Sequence, residues 1–309
     1  MMLRVIKTIT QYAKAYFKVS TLIVITGLIY SLGGVIRLDA IAQAEIDHFI
    51  SRATFEYEEV RQLTYGEEIR RYYTVSRETF ELEDPRDVFT SASRDTIGKT
   101  GDVFVTRQSP FPSVPIVHQW ISFFFGGHAA ILDENNRLYE ATGLGSSDTT
   151  IPEVILHPGD EPHDYGVTTA YSSNYWLNPY RRSETDPSYP YYGRYNRNEF
   201  LTLRVKNTTD EMRAGAVDFA RRTYTGERLY NYTFFLDMTY KFYCTDLISR
   251  AYQDVLIPEN KQQLYSETLN DRFITSVNDL INDEETYISS YVYIEGNIVN
   301  IYYLEDVES

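Results

Sequence analysis

The sequence predicts an α+β fold with a mainly antiparallel sheet. Two observations lead to this class: helical and strand patterns follow one another in blocks, and short apolar runs come in pairs joined by tight turns. No internal repeat is visible. Such blocks are typical of helices packed on an antiparallel sheet. The chain has 309 residues, of which 43% are hydrophobic and 24% charged, so it is long enough to bury a core.

The N-terminal region combines basic residues with an apolar run. Residues 1–18 contain four basic side chains and no acidic one, and residues 19–36 form an uncharged, mostly apolar stretch of 18 positions. Such a stretch is long enough for a transmembrane helix. Basic residues before it and acidic residues soon after it predict, by the positive-inside rule, a cytoplasmic segment at 1–18, a membrane anchor at 19–36 and an exported body.

A cleaved signal peptide is the alternative for this region. Small residues near Ala42 and Ala44 have the spacing of a cleavage site. We favour the uncleaved anchor, because the apolar run is longer than the roughly 7–15 residues of a signal core. The expected location is therefore the cell membrane, with a single span, a cytoplasmic N-terminus and the body outside. The alternative is a secreted protein.

The exported body is strongly acidic. Five of the 29 basic residues precede Leu38, which leaves 24 basic residues against 44 acidic ones, a balance of −20. Phosphate backbones repel such a surface, so we expect no nucleic-acid partner.

Residues 41–95 are predicted to form a helical stalk or packing segment. Apolar residues recur at helical spacing, with glutamate and arginine between them. These residues are Ile46, Phe49, Ile50, Ala53 and Tyr57. The helical pattern continues to about residue 83 and ends near Asp84-Pro85.

Residues 96–309 are predicted to form one domain that begins with strands. A turn and strand cover 101–106, and a hairpin follows at 129–141 around an acidic turn. Residues 145–198 then form an irregular, tyrosine-rich insertion. The tyrosines at 165–195 suggest either a lid or substrate-binding wall, or the structural packing of a long loop.

The C-terminal half continues with a strand, two helices and a hairpin. The strand covers 199–206, and a helix follows at 212–224 after an N-terminal signal at 208–211. A second helix spans 243–255 with one apolar face, and the last hairpin pairs 287–294 with 298–304.

The only cysteine, Cys244, lies at the predicted start of that second helix. Exported proteins usually pair their cysteines, so a lone thiol suggests a nucleophile or an intermolecular bridge. A thiol attacks as its thiolate, which the unpaired N–H groups and the dipole of a helix start favour. It also needs a base and a group that orients that base. His128 and Glu140 lie on opposite strands of the central hairpin, and antiparallel pairing permits their side chains to meet.

Each of these residues also has a structural interpretation. Cys244 on an apolar helix face is consistent with an inert core cysteine. His128 is consistent with a hydrogen-bonded strand histidine, and Glu140 with a solvated strand end.

Four short motifs, taken in order, resemble a known family. They are Gly101-Asp102-Val103-Phe104, Gly127-His128-Ala129-Ala130-Ile131, Tyr139-Glu140-Ala141 and Tyr243-Cys244-Thr245-Asp246-Leu247-Ile248. Together they are similar to the circularly permuted papain-like enzymes of the YaeF/YiiX group, distant relatives of the NlpC/P60 cell-wall hydrolases. In the permuted group the histidine strand comes first and the cysteine helix last, as here. The resemblance covers roughly residues 96–280.

The resemblance implies a circularly permuted papain-like (NlpC/P60-like) fold, whose mainly antiparallel sheet packs on the cysteine helix after a transmembrane helix and N-terminal helices. It implies Cys244 as nucleophile, His128 as general base and then acid, and Glu140 as the residue that orients the histidine. Thr245-Asp246 stands where relatives commonly show Ser-Glu, which is a conservative departure.

Further residues are candidates by position. Tyr243 is a candidate oxyanion donor because it adjoins the cysteine, and His118 and Trp120 are candidates for lining the cleft, with packing as the alternative. We expect no metal and no organic cofactor. A loop at 157–164 contains metal-ligand types but no settled ligand spacing. Those types are His157, Asp160, Glu161, His163 and Asp164.

The sequence thus predicts an extracytoplasmic thiol hydrolase, an amidase or peptidase acting on peptides of the cell envelope. A thioesterase, lipase or acyltransferase on the same three residues is the first alternative, since lecithin:retinol acyltransferase-like enzymes show the same order of histidine, polar residue and cysteine. An inactive surface-binding module that keeps the fold is the second.

Overall fold

The computed structural model describes residues 2–63, 66–107, 127–141, 167–169, 175–177, 198–226, 228–231, 241–257, 269 and 274–307. Within these ranges the protein has a mixed α+β fold with a mainly antiparallel sheet, which confirms the predicted class.

Nine strands form the main sheet, in the order β1-β2-β11-β10-β7-β3-β4-β5-β6. Their bounds are β1 Ala53–Leu63, β2 Gly66–Val75, β3 Val103–Thr106, β4 His128–Leu132, β5 Leu138–Ala141, β6 Val167–Thr169, β7 Glu199–Val205, β10 Thr286–Glu295 and β11 Ile298–Leu304. All neighbours pair antiparallel except β2 and β11, which run parallel. Two short strands, β8 Leu229–Tyr230 and β9 Lys241–Phe242, pair separately.

The helices described are α1 Met2–Ser51, α2 Asp210–Thr225, α3 Cys244–Leu256 and α4 Val277–Asn282, with 3₁₀ turns at Glu81–Glu83 and Tyr175–Leu177. The predicted strands and helices between residues 101 and 107, 128 and 141, and 199 and 256, and the last hairpin, are confirmed. Thr209 caps α2 by accepting a hydrogen bond from the Met212 amide, as the sequence signal predicted.

The helical prediction for residues 41–83 is wrong beyond Ser51. Residues 53–63 and 66–75 pair as strands β1 and β2, so one N-terminal helix is described where several were expected. Cross-strand packing explains the difference: Tyr57 stacks on the buried Tyr72 with ring centroids 4.5 Å apart. β2 also pairs with β11, so tertiary pairing outweighs the local helical spacing.

Helix α1 has two parts with different surroundings. Its apolar run is largely exposed, and the helix is long and apolar enough to cross a membrane. Its last turns bury Ala42, Ile46 and Phe49 in the core of the domain.

A buried charged cluster lies where β7 ends beside the start of β3. Arg204 and Asp102 are both 0% exposed, and Arg204 Nε donates to Asp102 Oδ1 at 3.1 Å. The Arg204 guanidinium also donates to the carbonyl oxygens of Arg86 and Asp87, each at 2.8 Å. Arg86 in turn bonds Asp84 at 2.6 Å, so the cluster ties the segment before β3 to the sheet.

Asp84 is expected to make stability depend on pH. Burial alone would raise the pKa of Asp84, but the hydrogen bond from Arg86 and the charge of Arg204 outweigh burial and hold that pKa well below its usual range. A depressed pKa contributes stability that is complete above the unfolded-state value, about 4, and is lost as pH falls towards the folded value. Asp84→Asn should therefore lower the free energy of unfolding at pH 7, and its difference from the native chain should shrink below about pH 4.

Urea unfolding of both chains in detergent micelles, across pH 2–7 in roughly unit steps, measures this difference. Asp218, an exposed carboxylate on α2, supplies the control variant Asp218→Asn. A difference that stays constant down to the lowest pH would contradict the assignment.

Candidate active site

The structure brings His128 and Glu140 together. Ile131 on β4 lies opposite Tyr139 on β5, so Glu140 is opposite Ala130 and diagonal to His128 on one face of the sheet. His128 Nε2 and Glu140 Oε2 are 2.8 Å apart. The Glu140 side chain is 2% exposed and that of His128 14% exposed. This is the contact that antiparallel pairing permits.

The pair has the chemistry of an oriented base. Because the Glu140 carboxylate holds Nε2, Nδ1 is the ring nitrogen of His128 that would exchange a proton with a nucleophile. A buried carboxylate also stabilises the imidazolium that forms when the ring takes up a proton. Glu140 thus fixes the orientation of the His128 ring.

Trp176 packs beside the His128 ring, and the sequence did not identify it as a site residue. Its ring lies nearly parallel to that of His128, with centroids 6.1 Å apart and planes at 17°. It also contacts Phe104 and Phe200, at 5.7 and 5.6 Å between centroids, and is 1% exposed. Apolar packing beside the His128 ring keeps water away from it, which strengthens the hydrogen bond between His128 and Glu140.

The signal for Trp176 was weak. It is one of two tryptophans in the chain and lies in the tyrosine-rich insertion, where no periodic pattern assigns it to the core. Within that insertion, the segment Tyr175–Leu177 packs against the sheet.

Cys244 is the first residue of α3. Its neighbour Tyr243 has an extended backbone and no side-chain capping bond, so the helix start presents backbone N–H groups beside the thiol. Cys244 is a free cysteine and is half-buried. The helix dipole at this position favours an anion.

The segment before α4 connects the two parts of the candidate site. Tyr243 Oη accepts a hydrogen bond from the Thr275 amide at 2.9 Å, and Thr245 donates to the Thr275 carbonyl. Two residues further, the Val277 side chain lies against Gly127, which precedes His128. Cys244 and His128 therefore both lie close to the short segment 275–277.

The three predicted residues are not all joined by contacts. His128 and Glu140 are hydrogen-bonded, whereas Cys244 Sγ makes no hydrogen bond among the described residues. Catalytic hydrogen bonds are often long in structures without substrate, so this geometry leaves the role of Cys244 a prediction.

The other candidates are placed as follows. Tyr243 is buried, and its hydroxyl holds the 275–277 segment. His118, Trp120 and the loop at 157–164 lie outside the described residues. Among the residues that are described, no group of three or more His, Cys, Asp or Glu side chains could hold a metal ion.

Comparisons of this chain with protein-family models, with curated proteins and with solved structures find no match.

Proposed function

We propose that the chain is a membrane-tethered thiol hydrolase of the circularly permuted papain-like kind, with its active domain outside the cell. The observation that carries the proposal is the buried His128–Glu140 pair, 2.8 Å between Nε2 and Oε2, together with the only cysteine at a neighbouring helix start. Cys244 is the nucleophile, His128 the base and Glu140 the orienting residue.

The reaction has two steps, acylation of the thiol and hydrolysis of the acyl-enzyme. His128 takes the thiol proton, and Cys244 Sγ forms a bond to the carbonyl carbon. The bond from that carbon to the leaving nitrogen, oxygen or sulfur then breaks as His128 returns the proton to the leaving atom. Water then gives a proton to His128 and attacks the thioester, which releases a carboxylic acid and restores the thiol. The Cys244 backbone N–H, at the helix start, is a donor for the oxyanion.

The leading substrate class is an amide of the cell envelope. Acyl esters or thioesters, with hydrolysis or acyl transfer on the same residues, form the second class, which the exposed apolar part of α1 favours because it suits lipid-borne substrates.

Thiol labelling tests the proposal directly, because the chain has one cysteine. An unassisted thiol is only a few per cent thiolate at neutral pH, so a thiol activated by His128 should react with iodoacetamide about tenfold faster than one without it. We expect His128→Ala to slow the labelling of Cys244 at pH 7 about tenfold, measured by mass spectrometry.

The control variant is His48→Ala, which removes an exposed histidine of α1 that bonds Glu78. It should leave the labelling rate unchanged. Equal, slow labelling in all three chains would overturn the hydrolase and favour an inactive binding module.

A further inference from the structure

Helix α1 enters the domain without a linker. It runs unbroken from the apolar stretch at 19–36 to Ser51, and side chains of its last turns are buried in the core. A continuous helix rises about 1.5 Å per residue, so the number of residues sets the distance between the apolar stretch and the domain. The height of the domain above the end of the apolar stretch is therefore fixed.

Polar contacts hold the helix where it leaves the apolar stretch. Asp39 Oδ1 is 3.4 Å from Arg107 Nη1 and 3.5 Å from Asn278 Nδ2. Gln43 accepts a second hydrogen bond from Arg107 at 2.5 Å, and Asn282 donates to the Leu38 carbonyl at 3.1 Å. These contacts fix the register of α1 against the end of β3 and against α4.

The same contacts lead to both parts of the candidate site. Arg107 follows Thr106, whose strand partner is His128. Asn278 follows the segment whose Thr275 bonds the two residues that flank Cys244. Asp39 thus lies beside the end of the sheet that bears the site.

The opposite end of the sheet points away from the apolar stretch. Arg52, just past the end of α1, bonds Glu81 and the Ser76 carbonyl, where β2 has ended. Asp39 is three residues beyond Ile36, or about 5 Å along the axis, whereas Arg52 is about 24 Å beyond it. The site is at the end that lies nearest the apolar stretch.

We propose that this end of the sheet faces the membrane surface, and that the substrates of the site are membrane-resident amphiphiles whose reactive carbonyl lies in the headgroup region. The proposal rests on the proposed function for its chemistry. A rigid helix with no linker cannot present the site to distant polymers, and it holds the end of the sheet that bears the site next to the apolar stretch.

The distance between the site and the membrane is tested by moving the domain away from the apolar stretch. An insertion of 18 helix-forming residues after Arg37 adds five turns, which raises the domain by about 27 Å and keeps the helix faces aligned. The matched control carries the same 18 residues before Met2, at the other end of α1. Each full-length chain is placed in phosphatidylcholine nanodiscs that contain phosphatidylethanolamine with maleimide on its headgroup.

We expect the lipid-linked maleimide to label Cys244 in the native chain and in the control, and to label the raised chain at least about tenfold more slowly, because the short tether cannot span the added height. Soluble N-ethylmaleimide should label all three equally. Equal labelling of native and raised chains by the lipid probe overturns the inference, as does a native thiol that reacts only with the soluble probe.

These measurements distinguish failure of the hydrolase proposal from failure of the proposal that the site faces the membrane. The effect of His128→Ala on labelling by soluble N-ethylmaleimide reports activation of the thiol at any height. The ratio of lipid-linked to soluble labelling reports height, whether or not the thiol is activated. A thiol closed to both probes counts against both.

Discussion

Arg204→Met is expected to lower the free energy of unfolding by about 3–5 kcal/mol, the range for breaking a buried ion pair from one side. Asp102 is fully buried and would lose its closest cation. The carbonyl oxygens of Arg86 and Asp87 would lose their donors as well. Methionine fills much of the volume, so the loss reports charge and hydrogen bonding more than a cavity.

The control is Arg222→Met. Arg222 is an exposed arginine of α2 that pairs with Asp254, and exposed pairs contribute about 0–1 kcal/mol. Urea unfolding measures both variants. The double variant Arg204→Met with Asp102→Asn should recover part of the loss, because it removes a buried negative charge that only Arg86, 3.2 Å away, would still balance. A loss below about 1 kcal/mol for Arg204→Met would show that the cluster does not hold the segment before β3.

The central hairpin was predictable because the residues that specify it are close together in the sequence. An acidic, asparagine-containing turn between two short apolar runs specifies β4 and β5, and their register then determines that Glu140 meets His128. The caps and lengths of α2 and α3 are local in the same way.

The β1–β2 hairpin depends on partners far away in sequence. β2 pairs with β11, more than 200 residues later, and Tyr72 is buried beside Phe89. The apolar residues of this region recur at helical spacing, and that local pattern carries no information about a distant strand partner. Trp176 was missed for a similar reason, since only the folded chain brings an irregular insertion over His128.

Gly127→Ala is expected to have the second large effect, on the site as well as on stability. Gly127 has a φ of +81°, which favours glycine. A Cβ there would lie 2.6 Å from the Thr106 carbonyl oxygen and 3.0 Å from Val277 Cγ2. The first of these atoms belongs to the backbone of β3, so β3 or the start of β4 must shift. We expect a loss of roughly 2–4 kcal/mol in the free energy of unfolding.

Gly296→Ala separates the two causes of this loss. Gly296 also has a positive φ, +60°, but a Cβ there would meet nothing within 4 Å. Its variant should lose only about 1–2 kcal/mol, the cost of the left-handed backbone alone. The excess at Gly127 then measures the crowding of the added methyl group against the Thr106 carbonyl and Val277. If the contact between Gly127 and Val277 aligns the imidazole with the thiol, Gly127→Ala should also slow iodoacetamide labelling of Cys244 while the chain is still folded, and Gly296→Ala should not. Equal losses in the two variants, with unchanged labelling, would mean that the segment does not couple His128 to Cys244.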